Sequence, residues 1–173
     1  MTTLKYLQLH SDVPHLSFGS EESACFDLRA YFAKNATRIE GYNADSVKIS
    51  SPVVTDGETR CTVVNPGERM MIPTGVVFDI PVGHSVRIHA RSGLALKAGL
   101  VMANSEGVID SDYTEETKII VLNISNIPIR INHGDRIAQG EMVPVLSYDI
   151  CTTTESINKK TSRAGGFGST GIS

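Results

Sequence analysis

No stretch of this sequence approaches the ~20 consecutive apolar residues needed to cross a bilayer, and the first fifteen residues place Lys5, His10 and Asp12 where a secretory leader would be apolar. These absences predict a soluble, cytoplasmic protein that engages no membrane. Cysteine is scarce as well. Cys25, Cys61 and Cys151 are widely spaced and form no C-x-x-C pair, which excludes a zinc ribbon or dithiol redox centre and predicts reduced, structural thiols. Positive charge is not in excess: 16 Lys and Arg stand scattered against 19 Asp and Glu, so no basic stripe tracks a nucleic acid and any bound phosphate needs a local site. Helical periodicity is missing too. No run of a dozen residues keeps a 3.6-residue period, and only "SGLALKAGL", from Ser92 to Leu100, leaves room for a turn or two.

What is present suits one β domain. A chain of 173 residues with 40% hydrophobic and 20% charged residues can bury one substantial core. Strand-like segments begin at Lys5 ("KYLQL"), Arg60 ("RCTVV"), Gly75 ("GVVFDI"), Ser85 ("SVRIH"), Thr117 ("TKIIVLNIS"), Ile129 ("IRI") and Glu141 ("EMVPVL"), with turn signals such as Asn65-Pro66-Gly67 and Asn132-His133-Gly134-Asp135 between them. This pattern predicts an all-β jelly roll, sandwich or barrel. "NPGERM" from Asn65 and "NHGDRI" from Asn132 read as one turn chemistry used twice. Residues 35–60 are polar and read as a surface hairpin or loop excursion, whereas 152–162, "TTTESINKKTS", reads as a tether between a β domain at 1–151 and a glycine-rich tail.

Five stretches carry groups suited to chemistry. "ACFDLRA" offers Asp27, either a site acid or a strand-end carboxylate paired with Arg29 or a backbone amide. "ARSGLA" places Arg91, Ser92 and Gly93 at a strand end, where a guanidinium fork, a hydroxyl and free amides can meet phosphate oxygens. "GVIDSDY" sets Asp110, Asp112 and Tyr113 beside Val108 and Ile109, two aliphatics expected to draw the strand inward and leave a partly buried acid as a candidate general base. Strand alternation puts Asp110 and Tyr113 on opposite faces, so they share a site only if the chain turns between them. "GDRIAQ" contributes Gln139. The tail "RAGGFGSTG" joins paired glycines to Arg163, Phe167, Ser169 and Thr170: amides for an anion, positive charge, a flat face for a base and two hydroxyls, more than a flexible linker requires.

In order, these five stretches resemble the five motifs of the trimeric deoxyuridine triphosphatase (dUTP diphosphatase, dUTPase) family, a likeness running from Ala24 to Gly171 with "GGFGSTG" its most specific part. The resemblance implies a jelly-roll, distorted-barrel subunit of the β-clip kind, a homotrimer with active sites shared between subunits, and Mg²⁺-dependent cleavage of dUTP to dUMP and pyrophosphate. Carried over by position, Asp110 is the carboxylate that activates water, Tyr113 packs under the deoxyribose and excludes a 2′-hydroxyl, and Asn104 reads the uracil edge beside Gly107. Arg91, Ser92, Gly93 and Gln139 contact phosphate, and Asp27 holds a metal-bound water or the polar frame of the site. Arg163, Phe167, Gly168, Ser169 and Thr170 form an arm that closes over the nucleotide. Mg²⁺ held chiefly by phosphates and water needs no carboxylate cage.

The sequence also departs from the family pattern. Cys25 replaces a small residue, Ala90 a proline before the Arg-Ser-Gly turn, and Glu115 a glycine; Glu115 and Glu116 bring negative charge that either opposes a polyanion or faces solvent. Two rivals remain: a deoxycytidine triphosphate deaminase of the same fold, disfavoured because Ile120 stands where its catalytic glutamate belongs, and a non-catalytic nucleotide-binding module, disfavoured by the intact Asp110 and tail.

Overall fold

The computed structural model describes residues 2–162 and 165. In chain order its elements are β1 (Lys5–Gln8), β2 (Phe26–Arg29), β3 (Arg38–Tyr42), β4 (Lys48–Pro52), β5 (Val54–Asp56), β6 (Thr59–Val64), β7 (Arg69–Pro73), β8 (Val76–Asp79), β9 (His84–Ala90), α1 (Ser92–Ala98), β10 (Leu100–Met102), β11 (Glu106–Ile109), β12 (Lys118–Asn123), β13 (Ile129–Asn132) and β14 (Arg136–Pro144). All pairings are antiparallel. They build sheets ordered β10-β12-β7-β3-β4, β11-β9-β14-β2, β13-β6-β5 and β1-β8. This is an all-β jelly roll, and no helix among the described residues is long and apolar enough to cross a membrane.

Alternation selects the inward faces. Ile119 and Val121 of β12, Met70 and Ile72 of β7, Val86 and Ile88 of β9, and Phe26 and Leu28 of β2 pack into one core, each side chain removing apolar surface worth about 1.5–3 kcal/mol. Asn123 is the polar exception. Its buried amide donates to the carbonyls of Val64 (2.9 Å) and Ile127 (2.8 Å) and accepts from the Ser125 N–H (2.9 Å), so its groups are partnered. The repeated turn is built alike in both places. The Asn65 N–H donates to the Glu68 carboxylate and the Asn132 N–H to that of Asp135, both at 2.8 Å, with Gly67 and Gly134 at positive φ between them.

Two readings need correction. Residues 35–60 do form a hairpin, β3 with β4, but it is not confined to the surface: β3 also pairs with β7, and Ile39 is buried in the core. Gly41 permits this, since a Cβ there would lie 2.2 Å from the Arg69 carbonyl oxygen. The last strand starts at Arg136 rather than Glu141, so "GDRIAQ" belongs largely to β14. Beyond Pro144, residues 145–162 form no strand or helix and are exposed.

Candidate active site

Strand β9 has chemistry at both ends. β11 pairs along most of it, from Glu106 opposite His89 to Ile109 opposite Val86, so that Asp110 follows at the His84 end. The chain then turns, with the Tyr113 N–H donating to the Asp110 carbonyl at 3.1 Å. That turn removes the conflict posed by strand alternation: Asp110 and Tyr113 line the same cleft of about 250 Å³, with Asn104, Gly107, Ile109 and Ile88. Asn104 is exposed at the β10–β11 turn, where Ser105 takes a left-handed φ of 61° and the Glu106 N–H meets the Asn104 carbonyl at 2.6 Å.

The packing differs from expectation. Val108 points outward at 47% exposure, and Asp110 is itself exposed, so two aliphatics do not pull this strand in. Gly107 is the buried residue, close enough to β9 that a Cβ would come within 3.2 Å of Ile88 Cβ and 3.7 Å of Asn104 Nδ2. A glycine here keeps the cleft floor low. Asp110 gains its place from the turn, not from burial.

At the other end Arg91 continues β9 in extended conformation (φ −91°, ψ 123°), and Ser92 opens α1, whose first amides have no i−4 carbonyl to bind. The Arg91 guanidinium lies with Nε 3.5 Å from Asp27 Oδ1, while Nη1 donates to the Arg136 carbonyl at 3.0 Å. Gln139 stands in register with Asp27 on one side and His89 on the other, and its Nε2 donates to the Ala90 carbonyl at 3.2 Å. Asp27, Arg91, Ser92, Gly93 and Gln139 are thus gathered in one place. Asp27 does not pair with Arg29, however. Its partners are Arg91 and Arg136, and Arg29 instead donates to the Gly134 carbonyl at 2.8 Å.

Asp110 and the Arg91 guanidinium do not meet within one chain. Val86, which pairs with the residue before Asp110, and Arg91 are five steps apart on an extended strand, roughly 17 Å at ~3.3 Å per residue. Arg163, Phe167, Gly168, Ser169 and Thr170 lie outside the described residues.

Lys118 and Ile120, outward-facing on β12, also line the cleft and were not anticipated as lining residues; period-two alternation from buried Ile119 was the available signal. Ile120 facing the cleft strengthens the argument against a deaminase, because the position that would need a carboxylate holds an alkyl group. Glu116 is engaged by its own chain, accepting the Gly75 N–H at 2.8 Å and lying 3.8 Å from Lys118 Nζ, and Glu115 is exposed. Burial, helped by the charge of Glu141, pushes the Cys25 thiol up, in keeping with a structural role. Larger clefts exist, one of about 600 Å³ lined by Leu4, Phe18 and Phe26, and one of about 320 Å³ lined by Arg91, Asp135 and Arg136. Among the described residues no three His, Cys, Asp or Glu side chains form a metal-holding group.

A family model for dUTPase matches residues 58–171. The chain is 40% identical over 139 residues to the deoxyuridine 5'-triphosphate nucleotidohydrolase of Bdellovibrio bacteriovorus, spanning 78% of this chain and 93% of that one. It is 38% identical to the enzyme of the same name from Rhizobium rhizogenes, spanning 84% and 86%. In fold it resembles the Staphylococcus bacteriophage 80alpha dUTPase solved with dUPNHPP (TM-score 0.72, 21% identity, 99% of this chain and 100% of that one). It also resembles a dUTPase from phage phi11 of S. aureus whose structure details coordination of a structural Mg(II) ion (TM-score 0.68, 20% identity, 91% and 100%). Fold and sequence likeness therefore define a jelly-roll protein of the nucleotide-hydrolase kind. The chain belongs to the dUTPase family.

Proposed function

We propose that this protein is a Mg²⁺-dependent dUTP diphosphatase acting as a homotrimer with active sites built between subunits. The observation that carries the reading is the separation of Asp110 from Arg91 along β9. The cleft with Asn104, Gly107, Asp110 and Tyr113 suits a nucleoside, whereas the Arg91 turn suits phosphates, and a span of roughly 17 Å keeps one chain from placing Asp110 and Arg91 around the same α-phosphorus. A second copy supplies the missing half.

In this reading the Asn104 amide donates to and accepts from the uracil edge, which rejects the reversed pattern of cytosine. Tyr113 lies under the sugar and denies space to a 2′-hydroxyl. Asp110 accepts a proton from the attacking water as the new P–O bond forms and the bond to the β-phosphate oxygen breaks, releasing pyrophosphate. Arg91, the Ser92 hydroxyl, the Gly93 amide and Gln139 hold the phosphates. Asp27 supplies the polar frame through its two guanidinium partners, with lone pairs left for a metal-bound water. Mg²⁺ would be carried chiefly by the phosphates and water and would neutralise triphosphate charge. Residues 152–162 serve as the tether and Arg163, Phe167, Gly168, Ser169 and Thr170 as the arm that closes the site and excludes water.

The test is magnesium-dependent pyrophosphate release from a panel of nucleoside triphosphates. The reading expects dUTP to be preferred over dCTP and UTP; equal rates, or no release from dUTP, would end it. Truncation after Ser162 is expected to suppress turnover while the β domain stays folded.

A further inference from the structure

Arg136 lies in none of the roles above, yet the strand is deformed around it. Along β14, Gln139 pairs with Asp27 and Ala138 with Leu28, but the next partner of β2, Arg29, lies opposite Arg136 rather than Ile137. Ile137 is therefore the extra residue of a β-bulge. In unbroken alternation Ala138 facing the core would send Arg136 to the core and Ile137 outward. The bulge reverses this: Ile137 is 4% exposed beside fully buried Ala138, and Arg136 emerges on the face that carries Asp27 and Gln139.

There Arg136 makes two contacts of different kinds. Its Nη1 donates to Asp27 Oδ2 at 3.1 Å, and its carbonyl accepts from Arg91 Nη1 at 3.0 Å. Asp27 closes the triangle, its Oδ1 being 3.5 Å from Arg91 Nε. Asp27 is only 12% exposed at its side chain, so each of its oxygens has a nearby guanidinium partner in a half-buried setting. Two edges of the Arg91 fork are held in this way. Arg91 Nη2 makes no hydrogen bond among the described residues and is left for phosphate.

We propose that Arg136 is a positioning residue for the triphosphate: through Asp27 and its own carbonyl it fixes the orientation of the Arg91 fork, and the bulge at Ile137 exists to deliver it there. This rests on the reading of Arg91 as a phosphate-binding residue. An arginine fixed before the ligand arrives loses less entropy on binding than one that must be ordered by it. The benefit falls on ligands that carry the β- and γ-phosphates.

Arg136→Met and Arg136→Lys, with Arg91→Met beside them, decide the matter. Binding of a non-hydrolysable imido analogue of dUTP and of dUMP to the full-length protein is measured by calorimetry, with thermal unfolding of each variant. Arg136→Met is expected to weaken the analogue about tenfold, with dUMP affinity within about twofold and little change in Tm. Arg136→Lys keeps one contact to Asp27 without the planar fork and is expected to lose about threefold, again for the analogue alone. Unchanged analogue affinity, or equal losses for both ligands, overturns the proposal; should the Met variant not fold, the Lys variant decides by the same criteria. Loss in Arg91→Met without loss in the Arg136 variants overturns the role of Arg136 alone. No loss in Arg91→Met overturns the phosphate reading and this proposal together.

Discussion

The two ends of β9 carry opposite kinds of order. At the Arg91 end the polar side chains are tied to one another before any ligand arrives: Asp27 to Arg91 and Arg136, and Gln139 to the Ala90 carbonyl. At the Asp110 end they are open. Asp110 is exposed, and among the described residues the Tyr113 hydroxyl reaches only the Glu116 carbonyl, at 3.2 Å. A triphosphate carries several negative charges and rewards a fixed array of donors, because donors already oriented need no reorganisation when charge appears. A uracil and a water require shape and access instead, which a backbone turn with a buried glycine provides.

The contrast can be broken most severely at Asp110. Asp110→Asn keeps the turn and the cleft but removes the proton acceptor, so turnover is expected to fall by ~10²-fold or more, with affinity for a non-hydrolysable dUTP analogue largely kept. Steady-state kinetics and calorimetry check this, and near-normal turnover would remove Asp110 from its role. Mixing subunits sharpens the comparison. Asp110→Asn and Arg91→Met chains, each inactive alone, are expected to regain activity when unfolded and refolded together, since about a quarter of randomly assembled sites then draw both intact halves from different chains. No recovery would argue that both halves come from one chain.

A milder break lies at Gly93. A methyl group there meets nothing within 4 Å in the single chain, so Gly93→Ala is expected to leave Tm unchanged. If phosphate approaches that backbone closely, kcat/KM for dUTP falls about tenfold; an unaltered kcat/KM would show open space rather than a ligand surface. Gly107→Ala differs, since its Cβ meets Ile88 at 3.2 Å, and both stability and dUTP affinity are expected to drop.

The smallest effect concerns the turn behind the Arg91 end. His133 Nδ1 accepts the Phe32 N–H at 3.0 Å, and burial, aided by the Arg60 charge, holds its pKa below the ordinary value. The unfolded chain therefore binds the proton first. Stability from this group is full above the unfolded value of about 6.5 and is lost as pH falls through the lower folded value. Tm measured against pH is expected to dip on the acid side in the native protein and to dip less in His133→Gln. Tyr31 nearby, raised to about 12 by burial and then by its 2.5 Å bond to Asp12, stays a neutral phenol throughout this range.

Much of the strand inventory was legible because period-two alternation is a property of neighbouring residues. β1, β6, β8, β9, β12 and β13 fall where alternating aliphatics and turn residues place them. The hairpin within residues 35–60 was legible, but its packing against β7 was not, because its outward residues are polar and its inward ones few: Ile39 reaches the core and Gly41 merely makes room for Met70. The site residues 27, 91 to 93, 104, 107, 110, 113 and 139 were named from side-chain chemistry and motif order, and the structure places Asn104, Gly107, Asp110 and Tyr113 on one cleft and Asp27, Arg91 and Gln139 in another cluster. Arg136 escaped notice because it depends on a bulge, Lys118 although alternation from buried Ile119 could have found it, and Val108 was expected to face inward but faces out.

The sequence by itself determined that this chain is all-β, that its turns repeat one Asn-x-Gly-acid chemistry, and which side chains carry reactive groups, because these follow from local spacing and the valence of each residue. Only the tertiary structure decided which groups share a place. Asp27 lies beside Arg136, 109 residues away, and Asp110 lies far from Arg91 despite being nearer in the chain. The reason is physical: strand pairing joins distant segments at about 5 Å, while an extended strand carries neighbours apart at ~3.3 Å per residue, so proximity along a β chain and proximity in space are nearly independent.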